Sequence, residues 1–453
     1  MERTTAEKKD LIYLLIGSLY LITGALQHFL VNGSYVTVSI AIAVSVLCIL
    51  LRRENRAQMI LFAGIAALNL SGYFIPRFTW ISVLGLLSFA VGTVFTVTGL
   101  TIGYRKKGKP LQMALFTIIS CALVLFSGFL SLTFLKPELT MSLFGSAIMG
   151  SESSNVVTAE QKQSVLEDGT VLVSDVQYDS EVPNGFLDIY YAPEASKGTP
   201  TFIFIHGGGY VWGDKVIGDP NMLRESPTDL ITTNFLAHGY NVVQMNYALA
   251  PEYPFPTAIK QLNRGLRFLA ENGAEYGLDM TNVVISGGSA GGNLAGLLVN
   301  IQTNPEYAKA IGESAAMDSD SIKGVYFLAA LFDNARYGCT GSPSTDWMFT
   351  QLGRMYLGTN ELKTADLAQT NVIDYVTEAF PPTFISDGNT GTFDEQAFDM
   401  YEKLKSLGVD TEMSWFPKEE AILTHGHEGN DTKFSRIMYE NLLAFLEDYV
   451  AFP

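Results

Sequence analysis

Residues 287–291 read Gly-Gly-Ser-Ala-Gly, which centres Ser289 in a Gly-x-Ser-x-Gly pattern. A serine hydroxyl is a weak nucleophile until a neighbouring base takes its proton. Gly287 and Gly291 would let a strand and a helix close on a tight bend at Ser289 with no Cβ atoms between them. A helix starting near Ala290 would then aim the positive end of its dipole at the hydroxyl. Phosphate cradles are the other common use of such glycines. The GxxxxGK[ST] form fails for want of its Lys, and GxGxxG fails because Ser289 occupies its second glycine.

Residues 201–210, Thr-Phe-Ile-Phe-Ile-His-Gly-Gly-Gly-Tyr, supply the complementary chemistry. Acyl transfer builds negative charge on a former carbonyl oxygen, and preorganised N–H groups hold that charge best. After the apolar run, His206 and Gly207 lead into glycines whose amides can face a site without side chains in the way. The expected donors are the amides of Gly208, Gly209 and Ala290. A proton acceptor comes from Leu423-Thr-His-Gly-His-Glu-Gly429, which offers His425 and His427. His28, His206 and His238 are accounted for by an apolar run, the glycine loop and a surface helix. Zinc is the rival for a His-x-His pair, but HExxH fails because Asp431 stands where its second His belongs. The three cysteines, Cys48, Cys121 and Cys339, form no CxxC pair. The chemistry therefore needs no metal and no organic cofactor.

The elements that must carry these groups alternate. Strands are expected at 171–176, 185–191, 201–205, 241–246, 282–286, 324–328, 383–386 and 410–416. Helices are expected at 230–238, 258–272, 290–301, 394–407 and 433–449. Short continuous apolar strands alternating with helices predict a mostly parallel sheet covered on both faces. Ligands in such sheets bind beyond the carboxyl ends of the strands, where Ser289 and the 206–209 glycines fall. Two long stretches lie off this pattern, 214–229 and 332–377, the second containing Trp347, Met348, Phe349, Met355 and Tyr356. They are candidates for a cap and an acyl pocket.

His206-Gly-Gly-Gly-Tyr210, Tyr247-Ala-Leu-Ala-Pro-Glu-Tyr-Pro-Phe-Pro256 and Gly287-Gly-Ser-Ala-Gly-Gly292, in that order, resemble the hormone-sensitive-lipase-like carboxylesterase branch of the α/β-hydrolase superfamily. They also resemble the related polysaccharide-esterase-like hydrolases. The resemblance covers about residues 165–450. It implies an α/β-hydrolase fold, with Ser289 attacking an ester carbonyl and Gly208, Gly209 and Ala290 binding the oxyanion. Glu252 is implied to be structural rather than a general base. The family's Gly-His-Gly signature points to His427 as the base ahead of His425. Where the family has its acid, three residues after a glycine, this chain has Gly391. Asp387, at the end of the 383–386 strand, is then the preferred acid, with Asp394 second. An Asp at a helix start has another use, since an N-cap stabilises a helix by ~1 kcal/mol. Asn389 is a further group that could orient the imidazole. The implied substrates are small-molecule or polysaccharide esters, such as short acyl esters or acetylated polysaccharide of the cell envelope. A serine peptidase of the same fold, or a catalytically silent sensing or assembly domain, are the rival readings.

The 453 residues are 48% apolar and 17% charged, which excludes a disordered chain. Charge divides them: residues 1–136 carry net +8 and residues 137–453 net −25. So acidic a surface repels phosphate backbones, so nucleic acid is not an expected partner. Five runs hold no Asp, Glu, Lys or Arg: Leu11–Val31, Tyr35–Leu51, Ala57–Pro76, Phe78–Tyr104 and Leu111–Leu135. Each suits a helix crossing the bilayer, which takes ~20 residues. Lys and Arg gather before the first run and in the 52–56 and 105–109 breaks. The positive-inside rule then puts the N-terminus in the cytoplasm and everything after the fifth span outside. The expected organisation is a five-helix transmembrane anchor at 1–136, a linker at 137–164 and an extracytoplasmic α/β-hydrolase domain at 165–453, on a multi-pass protein of the cell membrane.

Overall fold

Phe202 and Phe204 alternate with Ile203 and Ile205 along strand β4 (Pro200–Ile205), and all four are buried. A strand apolar on both faces belongs at the centre of a sheet. The computed structural model describes residues 2–29, 34–74, 78–107, scattered positions between 118 and 137, 155–216, 227–358 and 364–453. Among the described residues the chain forms two units, Met1–Phe144 with Asp346–Gln351, and Gly145–Thr345 with Leu352–Pro453.

The second unit is built on a nine-stranded sheet: β1 (Lys162–Val165), β2 (Val171–Gln177), β3 (Phe186–Tyr191), β4, β5 (Asn241–Met245), β6 (Asp279–Gly288), β7 (Ile322–Leu328), β8 (Thr383–Ser386) and β9 (Thr411–Ser414). Their spatial order is β1-β2-β3-β5-β4-β6-β7-β8-β9. The pairs from β1 to β5 are antiparallel and those from β5 to β9 parallel. The mixed but mostly parallel sheet matches the expected fold class. Strand β1 begins inside the stretch read from sequence as linker and runs one residue past it. Its Lys-Gln-Ser-Val is exposed throughout, so it carries no alternating apolar signal. Asn155 is already tied to this unit, accepting from Leu249 N at 2.9 Å and donating to Glu252 Oε2 at 3.1 Å.

Register brings the strand ends together. Ile205 pairs with Gly287, Gly287 with Phe327, and Phe327 with Ile385. The segments after β4, β6 and β8 therefore leave the sheet side by side. One face of the sheet is sealed by Ile231 and Phe235 of a helix at Pro227–Ala237 and by Met438, Leu442 and Leu446 of a helix at Lys433–Glu447.

The first unit contains helices α1 (Glu2–Phe29), α2 (Ser34–Leu51), α3 (Arg56–Leu70) and α4 (Phe78–Lys107). Two of them contain segments long and apolar enough to cross a bilayer, Leu11–His28 and Trp80–Gly103; Tyr35–Leu51 is apolar but shorter. The fifth apolar run, Leu111–Leu135, falls largely outside the described residues. Glycines bring α1 and α4 into backbone contact. A Cβ on Gly24 would lie 2.6 Å from Gly85 O, and one on Gly92 would lie 2.6 Å from Leu21 N. Polar groups face inward: Gln27 donates to Asn69 at 2.6 Å and accepts from Ser88 at 3.2 Å, all three buried. Leu11, Val36, Leu50 and Ile60 are exposed instead.

Candidate active site

Ser289 sits between β6 and the helix at Ala290–Thr303, with φ 54° and ψ −119°. That is a conformation L-residues rarely hold, costing on the order of 1–3 kcal/mol. The flanking glycines make it feasible. A Cβ on Gly287 would lie 2.2 Å from Gly291 O, and one on Gly291 would lie 2.1 Å from Ile205 O. The bend is fastened by Ser289 N donating to Leu328 O at 2.8 Å and by Asn293 N and Leu331 N donating to Ser289 O. The hydroxyl is left pointing off the sheet at the carboxyl ends of the strands.

The glycine loop leaves β4 beside it. A Cβ on Gly207 would lie 3.3 Å from Ser289 Cβ, so glycine is what permits this approach. Gly208 and Gly209 have φ 101° and 61°. Among the described residues, the amides of Gly208, Gly209 and Ala290 donate to no main-chain carbonyl, so their N–H groups are available to a ligand. Behind the loop, Tyr247 stacks on His206 at 4.3 Å and its hydroxyl donates to His206 O at 3.0 Å. His206 is thereby a loop brace, and burial holds its ring below the usual imidazole pKa. Farther along, buried Lys215 pairs with Asp175 at 2.9 Å and Asp188 at 3.2 Å. Burial raises the carboxyl of Asp188 to about 6 against the pull of Lys215. Leu352 packs over Gly209 and Tyr356 stacks on Tyr210 at 3.6 Å, so part of the 332–377 stretch roofs the loop.

The imidazole beside the Ser289 hydroxyl is that of His425. Its Nε2 lies 3.0 Å from Ser289 Oγ. This corrects the sequence-based choice of His427. Gly426, between the two histidines, has φ 72° and turns the chain there. His427 is consequently buried at the start of a 3₁₀ turn, 3.7 Å from Glu428 Oε1. Nothing in Thr-His-Gly-His reveals which side of that turn faces the serine. Burial lowers the His425 pKa to about 4, so the ring is neutral over the ordinary working range and able to accept a proton.

Asp387 is fully buried at the carboxyl end of β8. Its Oδ1 accepts from Gly388 N at 2.7 Å and from the Thr392 hydroxyl, and Thr392 Oγ1 lies 2.9 Å from His425 Nδ1. The preferred acid is thus linked to the imidazole through a threonine that sequence reading missed. Burial first, and then the charge of Glu428, hold the Asp387 carboxyl well above the usual range. Asp394 opens the helix Asp394–Ser406 as its first residue, with Phe393 at the cap position. Asn389 is not on the imidazole. Its amide donates to Phe416 O and Ala421 O at 2.9 and 2.8 Å, and its carbonyl accepts from Leu423 N at 3.1 Å. It fastens the loop that carries His425. A Cβ on Gly388 would lie 2.5 Å from Leu423 O, so glycine there lets the two loops touch.

Comparison with solved structures settles the architecture. The chain superposes on a crystal structure of C6-C4 SN3 inhibited esterase B from Lactobacillus rhamnosis, with TM-score 0.54 and 20% identity, over 70% of this chain and 96% of that one. The second unit has the α/β-hydrolase fold. Within that unit, a family model described as BD-FAE matches residues 187–404. The chain is 30% identical over 113 residues to the carboxylesterase NlhH of Mycobacterium tuberculosis, covering 25% of this chain and 33% of that protein. It is 26% identical over 220 residues to a protein of Acanthamoeba polyphaga mimivirus named as the α/β hydrolase R526, covering 47% and 57%. The chain therefore spans between a third and about three-fifths of the length of these two relatives.

Proposed function

We propose that this protein is a membrane-anchored serine hydrolase that cleaves carboxylic esters through an acyl-enzyme. The observation that carries the reading is the 3.0 Å contact between His425 Nε2 and a serine held at φ 54°. His425 takes the Ser289 proton as Oγ bonds to the ester carbonyl carbon. The Gly208, Gly209 and Ala290 amides hold the oxyanion, and the leaving alkoxide departs with the proton from Nε2. Water then repeats the sequence and releases the acid. Carboxylesterase relatives support an ester over an amide substrate, and small acyl esters or acetylated polysaccharide are the proposed class. The test is a fluorophosphonate probe. Stoichiometric labelling mapped to Ser289 in the folded, full-length chain is expected. No labelling would favour a silent hydrolase-like domain instead.

The proposed anchor is the N-terminal part with its five charge-free runs as spans, a cytoplasmic N-terminus and the hydrolase domain outside. Its support is the two long apolar helices, the glycine-mediated contact of α1 with α4, and an interior holding Gln27, Asn69 and Ser88 while leucines and isoleucines face out. Small residues at helix contacts and inward polar groups are what lipid-embedded helices require. Protease added to intact cells is expected to remove residues 137–453. Protection of that part would reverse the orientation.

A further inference from the structure

We propose that Thr392 is a positioning residue whose hydroxyl, standing between Asp387 and His425, sets the histidine tautomer that Ser289 needs. The inference rests on the hydrolase reading above and adds a residue to it.

A threonine hydroxyl has one proton to give. Here it is given to Asp387 Oδ1. The 2.9 Å contact with His425 Nδ1 must then run the other way, from Nδ1–H to the lone pair on Thr392 Oγ1. A proton on Nδ1 leaves Nε2 bare, and Nε2 is the atom 3.0 Å from Ser289 Oγ. One hydroxyl thus passes the accepting oxygen of a buried carboxyl on to the tautomer of a base. Only the Nδ1–H form can accept the serine proton at Nε2. When the serine proton reaches Nε2, the imidazolium keeps its Nδ1–H on Thr392, one hydroxyl away from the Asp387 carboxyl. No proton needs to cross the relay.

The surroundings hold the threonine to this task. Thr392 is 1% exposed and Asp387 is fully buried, so bulk water does not compete for either bond. Phe393 lies edge-on to the His425 ring at 5.3 Å, fixing its plane. The pairing of Thr390 with Thr424, and the bonds of Asn389 N and Thr390 N to Leu423 O, tie the Thr392 loop to the His425 loop. Asp394, the other acid weighed from sequence, begins a helix and is not part of this chain of bonds.

The test uses the full-length chain in detergent with a short-chain ester. Thr392→Val keeps the shape and removes the hydroxyl. It is expected to lower kcat by about 10²–10³-fold with KM changed less than threefold, a loss smaller than the ~10⁴ of a triad whose acid is neutralised. Thr392→Ser restores the hydroxyl and is expected to return kcat to within about fivefold of the parent. A merely structural threonine would not be rescued in this way. Thr392→Val within threefold of the parent, or Thr392→Ser as slow as the valine variant, would overturn the proposal. In the unmodified protein, ¹⁵N shifts of labelled histidine should show His425 protonated at Nδ1 and bare at Nε2; the opposite tautomer would also overturn it. That measurement decides the matter even where the valine variant does not fold. Failure of the hydrolase reading is separate, because it appears as an unlabelled Ser289 in the parent chain.

Discussion

Replacing Ser289 by alanine is expected to lower kcat for a short-chain ester by about 10⁵–10⁶-fold, leaving only what main-chain donors and substrate binding sustain. The loss is chemical rather than structural. Alanine meets φ 54° and ψ −119° with the same Cβ that serine carries, so the backbone strain is unchanged. One hydrogen bond, to His425 Nε2, is given up. The melting temperature should therefore move by only a few degrees. Ser289→Gly provides the converse. It removes both the hydroxyl and the Cβ, and should be as inactive but about 1 kcal/mol more stable, since glycine enters that region freely. Steady-state kinetics beside thermal melts read both effects. An alanine variant within tenfold of the parent rate would remove Ser289 from the mechanism.

The second large effect separates the two histidines. His425→Ala is expected to reduce kcat/KM by at least ~10⁴-fold, because the serine loses its proton acceptor. His427→Ala should leave turnover within about tenfold and instead lower stability by about 1–3 kcal/mol, as truncation of a buried, packed side chain does. The reverse outcome would restore His427 as the base. A pH signature accompanies the change. Burial holds folded His425 at about 4, whereas in an unfolded chain an imidazole titrates near 6.5. Between those values the unfolded chain binds more protons, so stability falls as pH drops from about 6.5 to about 4. The His425→Ala variant lacks that contribution and should show a shallower fall in melting temperature across the same window.

The bend at Ser289, its two glycines and the 206–209 loop were legible because their geometry is local. A left-handed serine between a strand and a helix needs glycine at fixed offsets, and a cradle of amides needs several glycines in a row. Both requirements are written within ten residues of chain. Their mutual placement was nearly as legible, since two apolar strands of one parallel sheet end in register. The short β1 was not, because an edge strand exposed on both faces has no apolar period. Nor was the partner of the acid. Thr392 differs in no way from other loop threonines until the β8 loop and the 421–425 loop are folded against each other.

The choice between His425 and His427 marks the same boundary. The sequence by itself determined the fold class, the tight bend at Ser289, the glycine loop beside it and the pair of histidines on offer, because residue type and short-range spacing decide these. Only the tertiary structure decided which imidazole and which hydroxyl complete the site. Both depend on one left-handed glycine, Gly426, and on contacts between segments more than thirty residues apart along the chain. A backbone turn reverses where a side chain points without altering the residues around it, and hydrogen-bond partners brought together by folding leave no period in the chain.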